Sequence, residues 1–206
     1  MNIRGKARAL QVANIAYAQD RVGDDIYYIN EKNERLCVWV SDDMIEIGVA
    51  GSNDSKDWLE NLKILGKKVD GFGRVPRGFW KNVPKFVQKI DYYLKKYQDR
   101  EIHISAHSRG VPIAFFIGVL LYKSGYNIKS IIGFGAPNFV KKQGVSYIKK
   151  SGIQDIRIYK NGSDQVTRHP WGYKKPIKQI QISKVRRFLG KIFNTDHLIH
   201  NYIKNI

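Results

Sequence analysis

Apolar positions along the chain fall into short strand-like runs and longer helical ones, and the two kinds alternate. Residues 36–41 and 44–50 are strand-like and separated by Asp42-Asp43, which predicts an antiparallel hairpin. Further strands are expected at residues 102–107, 129–134, 155–159 and 177–182. Helical spacing appears over residues 2–19, with Ile3, Ala7, Leu10, Ala13 and Tyr17 on one face. It is clearest over 79–97, where Val83, Phe86, Val87, Ile90 and Leu94 form a stripe and Pro84 is tolerated near the start. Residues 57–62, 111–122, 139–150 and 197–206 also read as helices. Residues 24–25, 30–34 and the Gly- and Lys-containing stretch 65–78 read as loops. This alternation predicts an α/β fold in one domain over residues 1–206.

One junction stands apart. Residues 102–110 run Ile-His-Ile-Ser-Ala-His-Ser-Arg-Gly, and the apolar run 111–122 follows directly. Ser108 has Ala106 two positions before it and Gly110 two after, the small-x-Ser-x-Gly pattern of a nucleophile elbow. Such a match arises by chance in roughly one chain in five of this length, so its context decides. A strand before and a helix after are what the motif requires, and both are readable here.

A serine hydroxyl needs a base to take its proton and a carboxylate to orient that base. Beyond Ser108 the acidic residues are Asp155, Asp164 and Asp196, and the histidines are His169, His197 and His200. Asp155 begins a strand, whereas Asp164 lies in the loop leaving it, at the edge where α/β sites are built. His197 opens a helix at the end of a loop, with His200 one turn further on and His169 beside Pro170 and Trp171. Asp164 and His197 are the better placed. His107 is expected to be a structural group beneath the turn. An oxyanion needs two fixed N–H donors; Arg109, after the serine, supplies one candidate and Gly51-Ser52 the other. No metal or cofactor is expected.

Composition adds a partner question. The 206 residues are 43% hydrophobic and carry a net charge of +18, unevenly spread. Residues 1–139 hold 21 Lys and Arg against 15 Asp and Glu, and residues 140–206 hold 15 against 3. Such a basic half suits an anionic partner, be it a phospholipid surface, a nucleic acid or an acidic polymer. Residues 184–193 sharpen this. Val185, Phe188, Leu189, Ile192 and Phe193 fall at helical spacing, with Lys184, Arg186, Arg187 and Lys191 largely between them. This is a basic amphipathic pattern of the membrane-surface type, and its alternative is a helix packed on its own core. Cys37 sits in an apolar run and is expected to be a buried structural thiol. Neither a secretory leader nor a membrane span is legible, so the expectation is a soluble protein, cytoplasmic, released by lysis or carried in a virion.

Several segments, in order, resemble the class 3 lipases, the fungal-lipase-like α/β-hydrolases. Val49-Ala50-Gly51-Ser52 followed by Asp57-Trp58 is similar to the family's Phe-Arg-Gly-Thr and downstream Asp-Trp. Arg77-Gly78-Phe79 is similar to its His-x-Gly-Phe, Phe134-Gly135-Ala136-Pro137 to its Phe-Gly-Ala-Pro, and residues 161–166 to its Asn-x-x-Asp-x-Val. Asp196-His197 with Tyr202 is similar to its terminal Asp-His…Tyr. The resemblance implies a mostly parallel central sheet flanked by helices. It implies Ser108 as nucleophile, Asp164 and His197 as its partners, and Ser52 with Arg109 as the oxyanion hole. A serine ester hydrolase acting on lipid or phospholipid esters is therefore expected, with residues 65–78 as a short lid. Departures are Ala106 and Val111 in place of glycines, and Arg109 in place of leucine, whose charge would favour anionic head groups. The competing expectation is a basic, non-catalytic protein on the same scaffold, binding nucleic acid or an anionic surface; no nucleic-acid-binding module is legible.

Overall fold

The β-branched runs pair into one sheet. The computed structural model describes residues 8–9, 12–16, 26–31, 34–51, 66–183 and 197–206, and among these the sheet has seven strands in the order β1-β2-β3-β6-β7-β8-β9. β1 (Ile26–Glu31), β2 (Glu34–Val40) and β3 (Met44–Val49) form an antiparallel meander. From β3 onward the neighbours are parallel: β6 (Glu101–His107), β7 (Ile128–Phe134), β8 (Asp155–Lys160) and β9 (Ile180–Gln181). Parallel strands need covered faces, and helices supply the cover.

Chief among them is α3 (Gly110–Lys123), which leaves β6 and buries almost its whole circumference, Phe115, Phe116 and Ile117 included. Each such side chain contributes about 1.5–3 kcal/mol when fully buried. α2 (Val83–Leu94) packs on it through Val83, Phe86, Ile90 and Leu94. The helix expected over 79–97 is interrupted: α1 covers Arg77–Trp80, and α2 restarts after a turn at Lys81-Asn82. Pro84 has no N–H to give the Trp80 carbonyl, so a helix running through that point would lack a bond, whereas proline is at home in a first turn.

Two further expectations change. Residues 66–76 are a hairpin and not a loop, with β4 (Gly66–Val69) paired antiparallel to β5 (Gly73–Pro76). Phe72 at its turn is fully buried against Trp80, Phe116 and Tyr147, with ring centroids 5.7, 5.0 and 4.9 Å away. The hairpin is anchored in the core, so the lid expected over residues 65–78 is not a free flap. Near the N-terminus residues 12–16 are helical and among the described residues Ala9, Val12, Ala13 and Ala16 are buried, so Val12 belongs to the packed face; Ile3, Ala7, Leu10 and Tyr17 lie outside the described residues. Small side chains let this helix lie close on the sheet, where the Cys37 thiol reaches the Val12 carbonyl at 3.8 Å. Burial pushes that thiol up to about 11, which keeps it protonated and inert.

α4 (Lys142–Lys149) and α5 (Ile199–Lys204) complete the elements used below. No described helix is long and apolar enough to cross a membrane.

Candidate active site

The parallel strands all end at one edge, and the loops leaving them meet there. At the end of β6 the chain reverses through Ser108, whose φ of 55° is the only positive value of a non-glycine residue among those described. Backbone of this kind costs about 1–3 kcal/mol and persists only where its surroundings hold it. Here the Ser108 N–H donates to the Phe134 carbonyl at 2.8 Å, and α3 begins two residues later. A Cβ on Gly110 would stand 2.4 Å from the Val49 carbonyl oxygen, so the helix can start this close to β3 only with glycine there. The reversal aims the serine at the loops that follow β7 and β8.

His197 waits there. Its Nε2 lies 2.6 Å from Ser108 Oγ, and its Nδ1 lies 2.9 Å from Asp164 Oδ2. With Nδ1–H donated to the carboxylate, the Nε2 lone pair is left to accept the serine proton. All three side chains are buried. Asp164 is held from several sides. Tyr202 Oη donates to the same Oδ2 at 2.7 Å, and the Val166 N–H donates to Oδ1 at 3.0 Å. Burial alone pushes the Asp164 carboxyl up, but the hydrogen bond and charge of His197, with the Tyr202 hydroxyl, outweigh it and hold the carboxyl below its ordinary value.

A second layer fixes these partners. Tyr202 Oη accepts the Asn161 N–H at 3.1 Å, tying α5 to the end of β8. His107 Nε2 lies 2.8 Å from the His197 carbonyl, and the two imidazoles are 5.0 Å apart. Burial, then the neighbouring His197, pushes His107 down to about 3, so it is a neutral donor. Lys175 donates to the Thr167 carbonyl and to Asn138 Oδ1, clamping the loop that carries Asp164. Burial and the charge of Lys160 push Lys175 down to about 8, against the pull of Asp164. The Arg109 guanidinium turns away from the expected head-group role: it pairs with buried Glu34 and donates to the Gly78 carbonyl at 3.1 Å. Asn82 Nδ2 donates to the same Glu34 at 2.9 Å. Burial pushes the Glu34 carboxyl up, although Arg109 and Asn82 pull against it.

The family model for class 3 lipases matches residues 47–173, more than half of the chain.

This chain belongs to the class 3 lipase family.

The fold agrees. A Rhizomucor miehei lipase, solved with its propeptide, superposes with a TM-score of 0.65 at 20% identity, over 80% of this chain and 62% of that one. A Yarrowia lipolytica lipase gives 0.70 at 16% identity over 87% and 79%. A lipase of Rhizopus microsporus var. chinensis gives 0.67 at 17% identity over 82% and 70%. Likeness at such low identity establishes the α/β-hydrolase fold and nothing finer. The chain spans 62% of the length of the Rhizomucor chain. No curated protein matches the sequence.

Within this class 3 lipase fold, Ser108, His197 and Asp164 come together, while Asp155, His169 and His200 lie apart and Asp196 lies outside the described residues. Asp155 starts β8 and pairs with Arg157 at 2.6 Å, His169 stacks on Trp171, and His200 is exposed on α5. Ser52 lies outside the described residues, as do the helix expected over 57–62 and the membrane-surface candidates Val185, Arg187, Phe188 and Phe193. Among the described residues no group of three or more His, Cys, Asp or Glu could hold a metal ion. Sequence reasoning missed Glu34, Asn82 and Lys175. Glu34 fell in a stretch read as loop, and its partner is 75 residues away.

Proposed function

We propose that this chain is a serine ester hydrolase that cleaves lipid carboxylic esters through an acyl-enzyme. What supports the reading is a single geometric fact: Ser108 Oγ is 2.6 Å from an imidazole nitrogen whose ring is fixed on its other side by an ionised carboxylate. In the reaction His197 Nε2 takes the Ser108 proton as Oγ attacks the ester carbonyl carbon. The tetrahedral oxyanion is held by the Arg109 N–H at the start of α3 and by a donor from Gly51 or Ser52. Collapse breaks the bond to the leaving alkoxide, which receives the proton from His197. Water then gives a proton to His197 and its hydroxide to the acyl carbon. The acid departs and the proton returns to Ser108 Oγ, closing the cycle. Asp164 keeps His197 in the required tautomer and stabilises the imidazolium.

The test is hydrolysis of a short-chain p-nitrophenyl ester by the parent and by Ser108→Ala. The variant is expected to lose about 10⁴-fold or more in kcat with its thermal midpoint little changed, since alanine keeps the Cβ and the same backbone conformation. Undiminished hydrolysis in Ser108→Ala sinks the proposal. So would the absence of hydrolysis in a folded parent that binds DNA steeply with salt, the behaviour of a non-catalytic basic protein. Triacylglycerol emulsions and phospholipid vesicles, compared side by side, rank the two lipid classes as substrates.

A further inference from the structure

Charge is sorted across the two ends of the sheet. The exposed acids Asp42, Asp43, Asp99 and Glu101 and the half-buried Asp155 stand at the amino ends of β3, β6 and β8, the end remote from Ser108, with Glu101 paired to Lys129 and Asp155 to Arg157. Among the described residues, the acids at the opposite, carboxyl end are each paired. Glu31 pairs with Lys85 and Lys89, Glu34 with Arg109, and Asp164 with His197. Asp70 turns at the tip of the β4–β5 hairpin, beside Gly71, whose neighbour is Tyr147.

What the carboxyl end does expose is cationic and aromatic. Arg77 and Lys81 flank the Gly78 carbonyl that touches Arg109, and both are exposed. On the other side of the nucleophile the loop after Asp164 exposes Arg168 and Lys174, and residues 165–183 contain no acid at all. Between those two cations stands Trp171, with 76% of its surface in water, the most exposed of the chain's described tryptophans. Its indole stacks on His169 at 5.5 Å, and Pro170 between them is buried, so the ring is held out by a fixed base. Leu198, next to His197, is 40% exposed on the same edge. A large exposed aromatic flanked by cations, in a stretch without acids over residues 165–183, matches an anionic bilayer interface in both polarity and charge.

We propose that the carboxyl edge of the sheet docks on an anionic phospholipid surface, with Trp171 entering the headgroup region and Arg168, Lys174, Arg77 and Lys81 facing the lipid phosphates. The proposal deepens the ester hydrolase reading by naming where its substrate is met. It rests on that reading only for the direction in which the site faces. Docking in this pose turns the mouth above Ser108 towards the acyl esters of the lipid.

Co-sedimentation of the full chain with phosphatidylcholine vesicles, with and without phosphatidylglycerol, tests it. The parent is expected to sediment with the anionic vesicles only, and less so at raised salt. Removing two cations in Arg168→Gln/Lys174→Gln lowers partitioning by about 25-fold, each surface cation being worth about fivefold. Trp171→Ala lowers it further without altering the salt slope. Hydrolysis of a water-soluble p-nitrophenyl ester should be unchanged in both variants, which also reports that they fold. Equal sedimentation of parent and variants overturns the proposal, as does equal binding to neutral vesicles. Loss of duplex DNA binding in the same variants, without vesicle binding by the parent, would assign the surface to nucleic acid and equally overturn it. If vesicles bind as described while the parent hydrolyses no ester, the docking surface stands and the enzymatic reading falls.

Discussion

His107 Nε2–H donates to the backbone carbonyl of His197 at 2.8 Å, while its ring lies 5.0 Å from the His197 imidazole. The residue before the nucleophile thus grips the residue that would serve as its base, 90 positions away. An amide at this position keeps a donor within reach, and a hydrocarbon does not. His107→Gln is expected to retain kcat within about threefold, whereas His107→Leu lowers it by about 10- to 100-fold with KM little changed, the scale on which small misplacements of reacting groups are felt. Steady-state kinetics on a soluble ester separates the two. Equal losses in both variants would make His107 a packing residue only.

The same histidine makes stability depend on acid. Its folded-state value is about 3 and its ordinary value 6.5, so between these pH values the unfolded chain binds a proton that the folded chain does not. Stability therefore falls as pH is lowered through that window, by about 1.4 kcal/mol per pH unit. Asp164 acts lower down. Its carboxyl is held below 3.8, so the stability it adds is complete above that value and is lost only as pH falls beneath it. Urea midpoints between pH 6.5 and 5 should show the parent losing about 2 kcal/mol more than His107→Gln. A parallel decline in the two proteins would contradict a neutral buried His107.

Gly135, next after β7, has a φ of +64°, and a Cβ there would stand 3.0 Å from Asp164 Oδ2 and 3.1 Å from His197 Nδ1. Gly135→Ala both strains the backbone and wedges the carboxylate from the imidazole. Activity should fall by about 100-fold, with a stability loss of only about 1–2 kcal/mol. The comparison of kcat with the thermal midpoint checks it, since a general unfolding defect would lower both together.

Much of this site was legible because local chemistry forces it. An exposed serine at a strand-to-helix reversal needs small neighbours, and Ala106 and Gly110 supply them. Asp164 could be chosen over Asp155 because a strand's first residue lies at the wrong edge. The strands β3, β6 and β7 announced themselves by apolar, β-branched runs that are largely buried, and β8 by its alternating Ile156 and Ile158. By contrast β1 contains Asn30-Glu31 and lies at the edge of the sheet, where polar residues are tolerated, so part of it read as loop. The β4–β5 hairpin was hidden by its lysines, which face water while Val69, Phe72 and Val75 carry the burial. Residues 177–182 alternate like a strand, yet only Ile180 and Gln181 pair with β8. The supports of the site were the least readable, because a glutamate meeting an arginine across the fold leaves no local trace.

That pair has its own consequence. Glu34 neutralises Arg109 inside the fold, and Asn82 and Gly78 complete the arrangement. Glu34→Gln leaves the guanidinium charge without its counter-ion, which should cost about 2 kcal/mol, below the 3–5 kcal/mol of a fully buried pair because Arg109 retains some exposure. The Arg109 N–H would move with its side chain, so kcat should fall as well. Chemical denaturation and a soluble ester assay measure both effects; an unaltered midpoint would mean that the pair adds nothing to the fold.

The proposed chemistry requires that the Ser108 hydroxyl be made nucleophilic by its contact with His197. Reaction of the intact protein with a fluorophosphonate, followed by peptide mass mapping, measures this directly. One adduct per chain on the peptide holding Ser108, absent in Ser108→Ala and formed far more slowly in His197→Ala, is the outcome the geometry requires. Labelling at another residue, or at an equal rate without His197, would contradict it.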